Sequence, residues 1–457
     1  MARIAIVDKM RCINGTGCNF ICGNYCPVNR TGSDCITIDD NKKPIIDEGL
    51  CTGCGICPKR CPVDAIEIIN LPEKLEEDPI HRYGMNAFEL FRLPIPKFGK
   101  VVGILGRNGI GKSTALTILS GTLKPNLGNL QGVNHEEIVS RYSKSFLGDY
   151  FKRLFSNEIK VSYKPQRIEL LPQIYKGTVK DLLEKVDEKG TSQELAKELG
   201  IAHLFDRKIS DLSGGELQRL AIIATAVKEA DIYYFDEPAS FCDITTRIKV
   251  AKLIRNLSNE NIAVMVVEHD LATLDYISDE IQIVYGVRNG YGVISQSKGV
   301  KRGINEYLDG YLPDDNVRFR NYSIKFEGHL AKRTIGKEVI IKFPSFAKTF
   351  ETFSLVVTPG EVHNAEIMAV MGANGLGKST FLKILANEIK PESGTVEKID
   401  IAYKAQYLDN NILGTVKDNL MKVAQDKFES GWYKTNILIK LGLEKIQDNE
   451  IKTLQEE

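Results

Sequence analysis

Long apolar runs are missing from this 457-residue sequence. The longest, Ile262 to Val267, falls far short of the roughly 20 residues that cross a bilayer, and reads as a buried strand. The opening Met-Ala-Arg-Ile-Ala-Ile-Val-Asp is too short an apolar stretch for a signal peptide and runs directly into cysteines. Net charge is also lacking: Lys plus Arg and Asp plus Glu number 60 each, so no global field drives the chain onto nucleic acid. A local basic face stays open. Cysteine nearly vanishes after residue 61, where Cys242 stands alone. The chain reads as cytoplasmic, a compartment where thiols stay reduced, and thiols clustered there favour metal over disulfide. With 43% hydrophobic and 26% charged residues the composition is globular, and the length allows two or three domains.

The cysteines present are spaced for iron. Cys51, Cys54, Cys57 and Cys61, followed by Pro62, form C-x2-C-x2-C-x3-C-P, the bacterial ferredoxin run. Cys12, Cys18, Cys22 and Cys26, followed by Pro27, give a looser C-x5-C-x3-C-x3-C-P. Two runs with exchanged fourth ligands predict one [4Fe–4S] cluster on Cys12, Cys18, Cys22 and Cys61, and a second on Cys51, Cys54, Cys57 and Cys26. Structural zinc is the alternative, but it ordinarily uses paired Cys-x2-Cys. Cys35 fits neither run and reads as a buried small hydrophobe.

Gly106-Arg-Asn108-Gly109-Ile-Gly111-Lys112-Ser113-Thr114 is a P-loop, with apolar Val101 to Leu105 before it and helical Ala115 to Leu119 after it. The backbone would cradle phosphates, Lys112 would reach the β- and γ-phosphates, and Ser113 would hold Mg²⁺. Ile232 to Phe235 then Asp236-Glu237 is a strand ending in two carboxylates, one for the Mg²⁺ shell and one for a general base. Leu212-Ser213-Gly214-Gly215-Glu-Leu-Gln-Arg219 resembles the signature of ABC-type ATPases. By that resemblance Ser213, Gly214 and Gly215 would meet the γ-phosphate held by an opposite cassette. Gln166 looks like the glutamine loop that senses Mg²⁺, Asp243 falls at the dimer-contacting aspartate loop, and His269 looks like the switch histidine. Tyr83 and Phe88 are candidates for stacking on adenine.

The cassette repeats. Gly372-Ala-Asn374-Gly375-Leu-Gly377-Lys378-Ser379-Thr380 is a second P-loop, with Ser379 in the Mg²⁺ position, and Gln406 repeats the glutamine loop. The first copy carries an insertion near 134–159 that reads as helix–loop–helix, broken at Gly148, with Arg141, Lys144, Lys152 and Arg153 on its surface. The second copy matches the first up to Leu454 and has no signature, Walker B or switch histidine, so the functional protein is expected to continue beyond Glu457. Four units result: a ferredoxin-like domain (1–72), a first cassette (73–285), an aromatic hinge (286–320) and a partial second cassette (321–457). The fold class is multidomain α/β, a ferredoxin-like α+β domain followed by two P-loop cassettes, the second truncated.

This order, with Cys26-Pro-Val-Asn-Arg30, Asn70-Leu-Pro72, His81-Arg-Tyr-Gly84, Arg92-Leu-Pro-Ile-Pro96, Tyr285-Gly-Val287 and Leu308-Asp-Gly-Tyr311, closely resembles the RNase L inhibitor family, ABC subfamily E. The resemblance implies ATP-driven ribosome splitting after termination, together with a release factor or its surveillance paralogue. It also implies residence on the small subunit into initiation, beside initiation factors, with two [4Fe–4S] clusters and Mg-ATP as cofactors and no membrane. The cluster domain would swing against the ribosome, and the insertion and hinge would touch ribosomal RNA and protein. The Cys12-x5-Cys18 gap is one residue longer than the family pattern. A transporter ATPase subunit, an ATP-coupled iron–sulfur redox protein and a ribosome binder without ATP turnover remain open as alternatives.

Overall fold

The computed structural model describes residues 3–9, 11–70, 78–325, 338–350, 353–364, 366–394, 396, 401–404 and 412–451. At the N-terminus, β1 (Arg3–Val7) pairs antiparallel with β2 (Ile66–Asn70), enclosing the cysteine loops between them. Apolar residues alternate along both strands. Ala5, Val7 and Ile66 face inward onto Cys22, Cys26, Cys35 and Cys57, while Ile4 and Ile69 turn the other way. That second face packs on Phe91, Tyr285, Tyr291 and Val293 of the following domain.

The following domain is built on a nine-stranded sheet. Its strands include β3 (Glu89–Phe91), β4 (Val101–Gly106), β5 (Val161–Lys164), β6 (Ile232–Asp236), β7 (Ala263–Val267), β8 (Glu280–Val287) and β9 (Tyr291–Ile294). Strands β8, β4, β7, β6 and β5 lie side by side and parallel. Every residue of β4, β6 and β7 is buried, because helices cover both faces and the strands can be continuously apolar. On one face lies α1 (Lys112–Leu119) together with the insertion, α2 (His135–Arg141) and α3 (Phe146–Phe155). On the other lie α4 (Gly214–Ala226) and α5 (Ile244–Leu257). Parallel strands deliver their carboxyl ends to one edge, so the P-loop, Asp236-Glu237 and Glu268-His269 are neighbours there.

The insertion is helix–loop–helix, but its break is at Tyr142 to Ser145 and Gly148 lies inside α3. A Cβ at Gly148 would stand 2.4 Å from the Tyr142 carbonyl oxygen, so this glycine permits the tight turn between the helices. Residues 286–294 continue the sheet, since β8 runs through Val287 and β9 pairs with it, and Lys298–Gly299 pairs back onto β8 before the chain leaves the sheet. Next comes α6 (Val300–Asp309), and the aromatics beyond it gather on Arg320. The Arg320 guanidinium lies over the Tyr307, Phe319 and Tyr322 rings at 5.4–5.7 Å.

In the second copy, β10 (Val339–Phe343) pairs with β13 (Gly360–His363), and β11 (Phe346–Phe350) with β12 (Phe353–Val357). Helix α7 (Lys378–Leu385) buries Ile384 and Leu385 against Phe343 and Phe346, and α8 (Val416–Ala424) follows. Ile367 to Met371, the counterpart of β4, forms no strand. No described residue supplies flanking strands, and Ile367 and Met371 are exposed.

Candidate functional site

The thiols form two sets. Cys22 lies within electrostatic reach of Cys12, Cys18 and Cys61, and burial pushes its thiol up to about 11. Cys26, Cys51, Cys54 and Cys57 line one small cavity, in which burial pushes Cys57 up to about 12. Cys35 is buried as expected, yet it lines that same cavity as a fifth thiol beside Cys26. The Ala65 amide donates to Cys61 Sγ at 3.2 Å. No disulfide ties any of the ten, and among the described residues no three donors converge on a point that a single ion would occupy. The second set rings a small cavity instead. Four-thiolate sets of this kind are the donor chemistry of iron–sulfur clusters.

At the sheet edge, Gly109 and Gly111 take φ of 71° and 91°, values that glycine adopts without a Cβ penalty. Lys112, at the start of α1, folds back so that Nζ donates to the Gly106 and Arg107 carbonyls at 3.0 and 2.6 Å. Four side chains then meet in a chain. Ser113 Oγ lies 3.4 Å from Gln166 Oε1, Gln166 Nε2 donates to Glu237 Oε1 at 3.1 Å, and His269 Nε2 lies 3.2 Å from that same oxygen. His269 holds the Glu237 carboxyl below the usual range. Asp236 is fully buried, burial raises its pKa, and its Oδ1 has no hydrogen-bond partner among the described residues. An orphaned buried carboxylate oxygen beside a P-loop serine is a fit for a divalent cation. Tyr83 is exposed, with its hydroxyl 3.1 Å from Thr114 Oγ1, and Phe88 packs under Gly111, so both candidate aromatics border the loop. Asn108 lies within the same loop.

The second P-loop faces the first cassette's signature. Ser213 caps α4, with Oγ and backbone N both 2.8 Å from Glu216 Oε2. Ser213, Gly214 and Gly215 share one cavity with Asn374, Gly375, Gly377, Lys378, Ser379 and Thr380. Asp243 bridges the halves: one oxygen accepts from Thr246 N at 2.7 Å and the other from Asn374 N at 2.9 Å. Asn374 Nδ2 also donates to the Phe241 carbonyl at 3.2 Å. Gln406 lies outside the described residues.

A family model described as ABC transporter matches residues 95–240 and 358–456, and one described as a 4Fe–4S binding domain matches residues 44–67. An uncharacterised ABC transporter ATP-binding protein of Methanocaldococcus jannaschii is 46% identical over 458 residues, covering 99% of this chain and 75% of that protein. Translation initiation factor RLI1 of Chaetomium thermophilum is 41% identical over 466 residues, covering 99% of this chain and 76% of that protein. A solved structure described as a model of ribosome-bound archaeal Pelota and ABCE1 superposes with a TM-score of 0.92 at 47% identity, over 99% of this chain and 77% of that one. The chain belongs to the RNase L inhibitor family, ABC subfamily E. It is an ABC-type ATPase with a ferredoxin-like iron–sulfur domain ahead of its cassettes. It spans about three quarters of the length of those relatives. None of the described helices is long and apolar enough to cross a membrane.

Reading the RNase L inhibitor motifs alone overlooks several residues of the site. Phe353 stands to Gly377 as Phe88 stands to Gly111, each ring carbon 2.7 Å from where a Cβ would lie. The repeated Phe-x-Leu (Phe88 to Leu90, Phe353 to Leu355) carries that signal. Lys164 and Gln218 are both buried beneath Glu237; Gln218 falls inside the signature run, but the motif does not announce that its side chain reaches the Glu237 turn.

Proposed function

We propose that this chain is an ATP-driven factor that splits and recycles ribosomes after termination and stays on the small subunit into initiation. The observation that carries the reading is the seating of the second P-loop on the first cassette's signature and aspartate loop, in a chain whose cluster domain packs on that cassette. Proposed partners are small-subunit RNA and protein, a release factor or its surveillance paralogue, and initiation factors; the proposed location is the cytoplasm. The relative bound to the ribosome beside Pelota supports this assignment.

In the first site, Lys112 and the amides of Asn108 to Thr114 would bind the phosphates, and Tyr83 and Phe88 the base. Ser113, Gln166 and Asp236 would hold Mg²⁺, which supplies positive charge across the β- and γ-phosphates. Glu237, kept ionised by His269, would take a proton from water at Oε1. His269 orients that carboxylate and would steady the γ-phosphate. In the second site, Asn374 to Thr380 would bind phosphate against Ser213, Gly214 and Gly215, with Ser379 and Gln406 toward Mg²⁺. Two [4Fe–4S] clusters would sit on Cys12, Cys18, Cys22 and Cys61, and on Cys26, Cys51, Cys54 and Cys57. The domain division 1–72, 73–285, 286–320 and 321–457 is proposed with the first cassette's sheet running on to Gly299.

Co-sedimentation tests the reading. With a non-hydrolysable ATP analogue, the chain should pellet with small subunits, and protein with both cassettes whole should, with ATP and the surveillance factor, convert whole ribosomes to subunits on a sucrose gradient. No association with small subunits in any nucleotide state would overturn it.

A further inference from the structure

Glu237 occupies a conformation its side chain resists. Its φ is 46°, in the left-handed region, which costs a residue with a Cβ roughly 1–2 kcal/mol. The turn it makes is held from below at three consecutive carbonyls. Lys164 Nζ donates to the Asp236 carbonyl at 2.8 Å and lies 3.4 Å from that of Glu237. Gln218 Nε2 donates to the Glu237 carbonyl at 2.8 Å and the Pro238 carbonyl at 2.9 Å. From above, the Glu237 amide donates to the Val267 carbonyl at 3.0 Å. Both donor side chains are about 1% exposed. They come from different elements: Lys164 ends β5, two residues before Gln166, and Gln218 belongs to the signature helix α4.

Burying an ammonium is costly unless it is fully used. Both of the bonds it makes go to main-chain oxygens of this one turn. The cation also offsets the charge of the Asp236, Glu237 and Glu268 carboxylates around it, while β5 itself is anchored by its ladder to β6. What the cation and the amide fix together is the peptide geometry on either side of Glu237. That geometry decides whether the carboxylate reaches His269 and Gln166 or swings away.

We propose that Lys164 and Gln218 are positioning residues that clamp the carbonyls of the Asp236–Pro238 turn and thereby aim the Glu237 carboxylate. The proposal rests on the reading of Glu237 as the general base. Because one donor precedes the glutamine loop and the other lies on the helix that meets the opposed P-loop, movement at either is passed to the base.

The test uses protein with both cassettes whole and measures single-turnover ATP hydrolysis, Mg-ATP affinity and thermal unfolding. The variants are K164M, K164R, Q218L, E237Q and K164M/E237Q. K164M and Q218L should each slow hydrolysis by about 10²-fold, the scale of a misplaced catalytic group, while ATP affinity holds within about threefold. K164R should recover most of the rate. K164M/E237Q should be no slower than E237Q alone, because a clamp has nothing left to aim. An E237Q variant that turns over like wild type would remove the general-base reading itself. Slow E237Q beside wild-type rates in K164M and Q218L would overturn the clamp alone. If K164M does not fold, Q218L decides. Loss of ATP binding or folding in step with turnover in both variants assigns the contacts to stability and also overturns the proposal.

Discussion

Glu89 is an unusual carboxylate outside the nucleotide site. It is nearly fully buried where the cysteine domain meets the first cassette, and burial pushes it up to about 7 despite Arg82 Nε at 2.9 Å. A carboxyl whose folded pKa is raised holds its proton longer in the folded chain than in the unfolded one. It therefore favours folding at acid pH and loses that contribution as pH rises from about 4.5 to about 7. Replacing Glu89 with Gln should leave a variant whose stability relative to wild type improves from pH 5 to pH 8, by up to a few kcal/mol on the scale of about 1.4 kcal/mol per unit. Urea midpoints at the two pH values check the sign, and an unchanged difference would refute it. Residues of this kind mark the limit of reading from sequence. Lys112, Glu237 and the eight ligand-spaced cysteines were legible because their spacing follows from the geometry of phosphate, water and a cubane. Glu89, Lys164 and Gln218 owe their character to burial by strands and helices far away in sequence, which spacing does not encode.

Elements were more legible than their boundaries. The insertion declares itself by comparison of the two copies, and its helical period is visible, but Gly148 misleads because glycine usually breaks a helix. Here the glycine serves close approach inside α3. Tyr150 is what fastens the insertion, donating its hydroxyl to the Leu119 carbonyl at the end of α1 and lying 2.8 Å from the Tyr234 hydroxyl on β6. Tyr150→Phe should destabilise the chain by about 1–3 kcal/mol, the penalty for buried groups left unpaired, without removing ATP binding. Chemical denaturation with a nucleotide titration would measure both. Arg141 on α2, Lys144 in the turn between the helices and Lys152 on α3 are exposed, with Arg153 half-buried. Reversing all four to glutamate should weaken small-subunit binding most at low salt, where such contacts are least screened. Unchanged co-sedimentation there would exclude the insertion as a ribosome contact.

For the molecule as a whole, four of the nine buried residues in the cysteine domain's core are thiols, so its fold and its iron are one question. Anaerobically purified protein should carry about eight irons per chain, as two cubanes require. Chelation under reducing, mildly denaturing conditions should make residues 11–61 sensitive to protease while the nine-stranded sheet resists. Stoichiometric zinc, or joint loss of both regions, would count against this. The seam between the two domains has a mechanical consequence. Ile4 and Ile69 sit among Phe91, Tyr285 and Tyr291, the Asn86 amide exchanges hydrogen bonds of 2.8 and 2.9 Å with the Ile46 backbone, and Glu48 takes Arg82 at 2.7 Å. Two amide bonds of about 1 kcal/mol each, with the wetting of two isoleucines, make a detent many times thermal energy. The N-terminal unit therefore does not drift on its mount. Any movement off that mount would have to be met by a rival surface offering contacts of comparable worth.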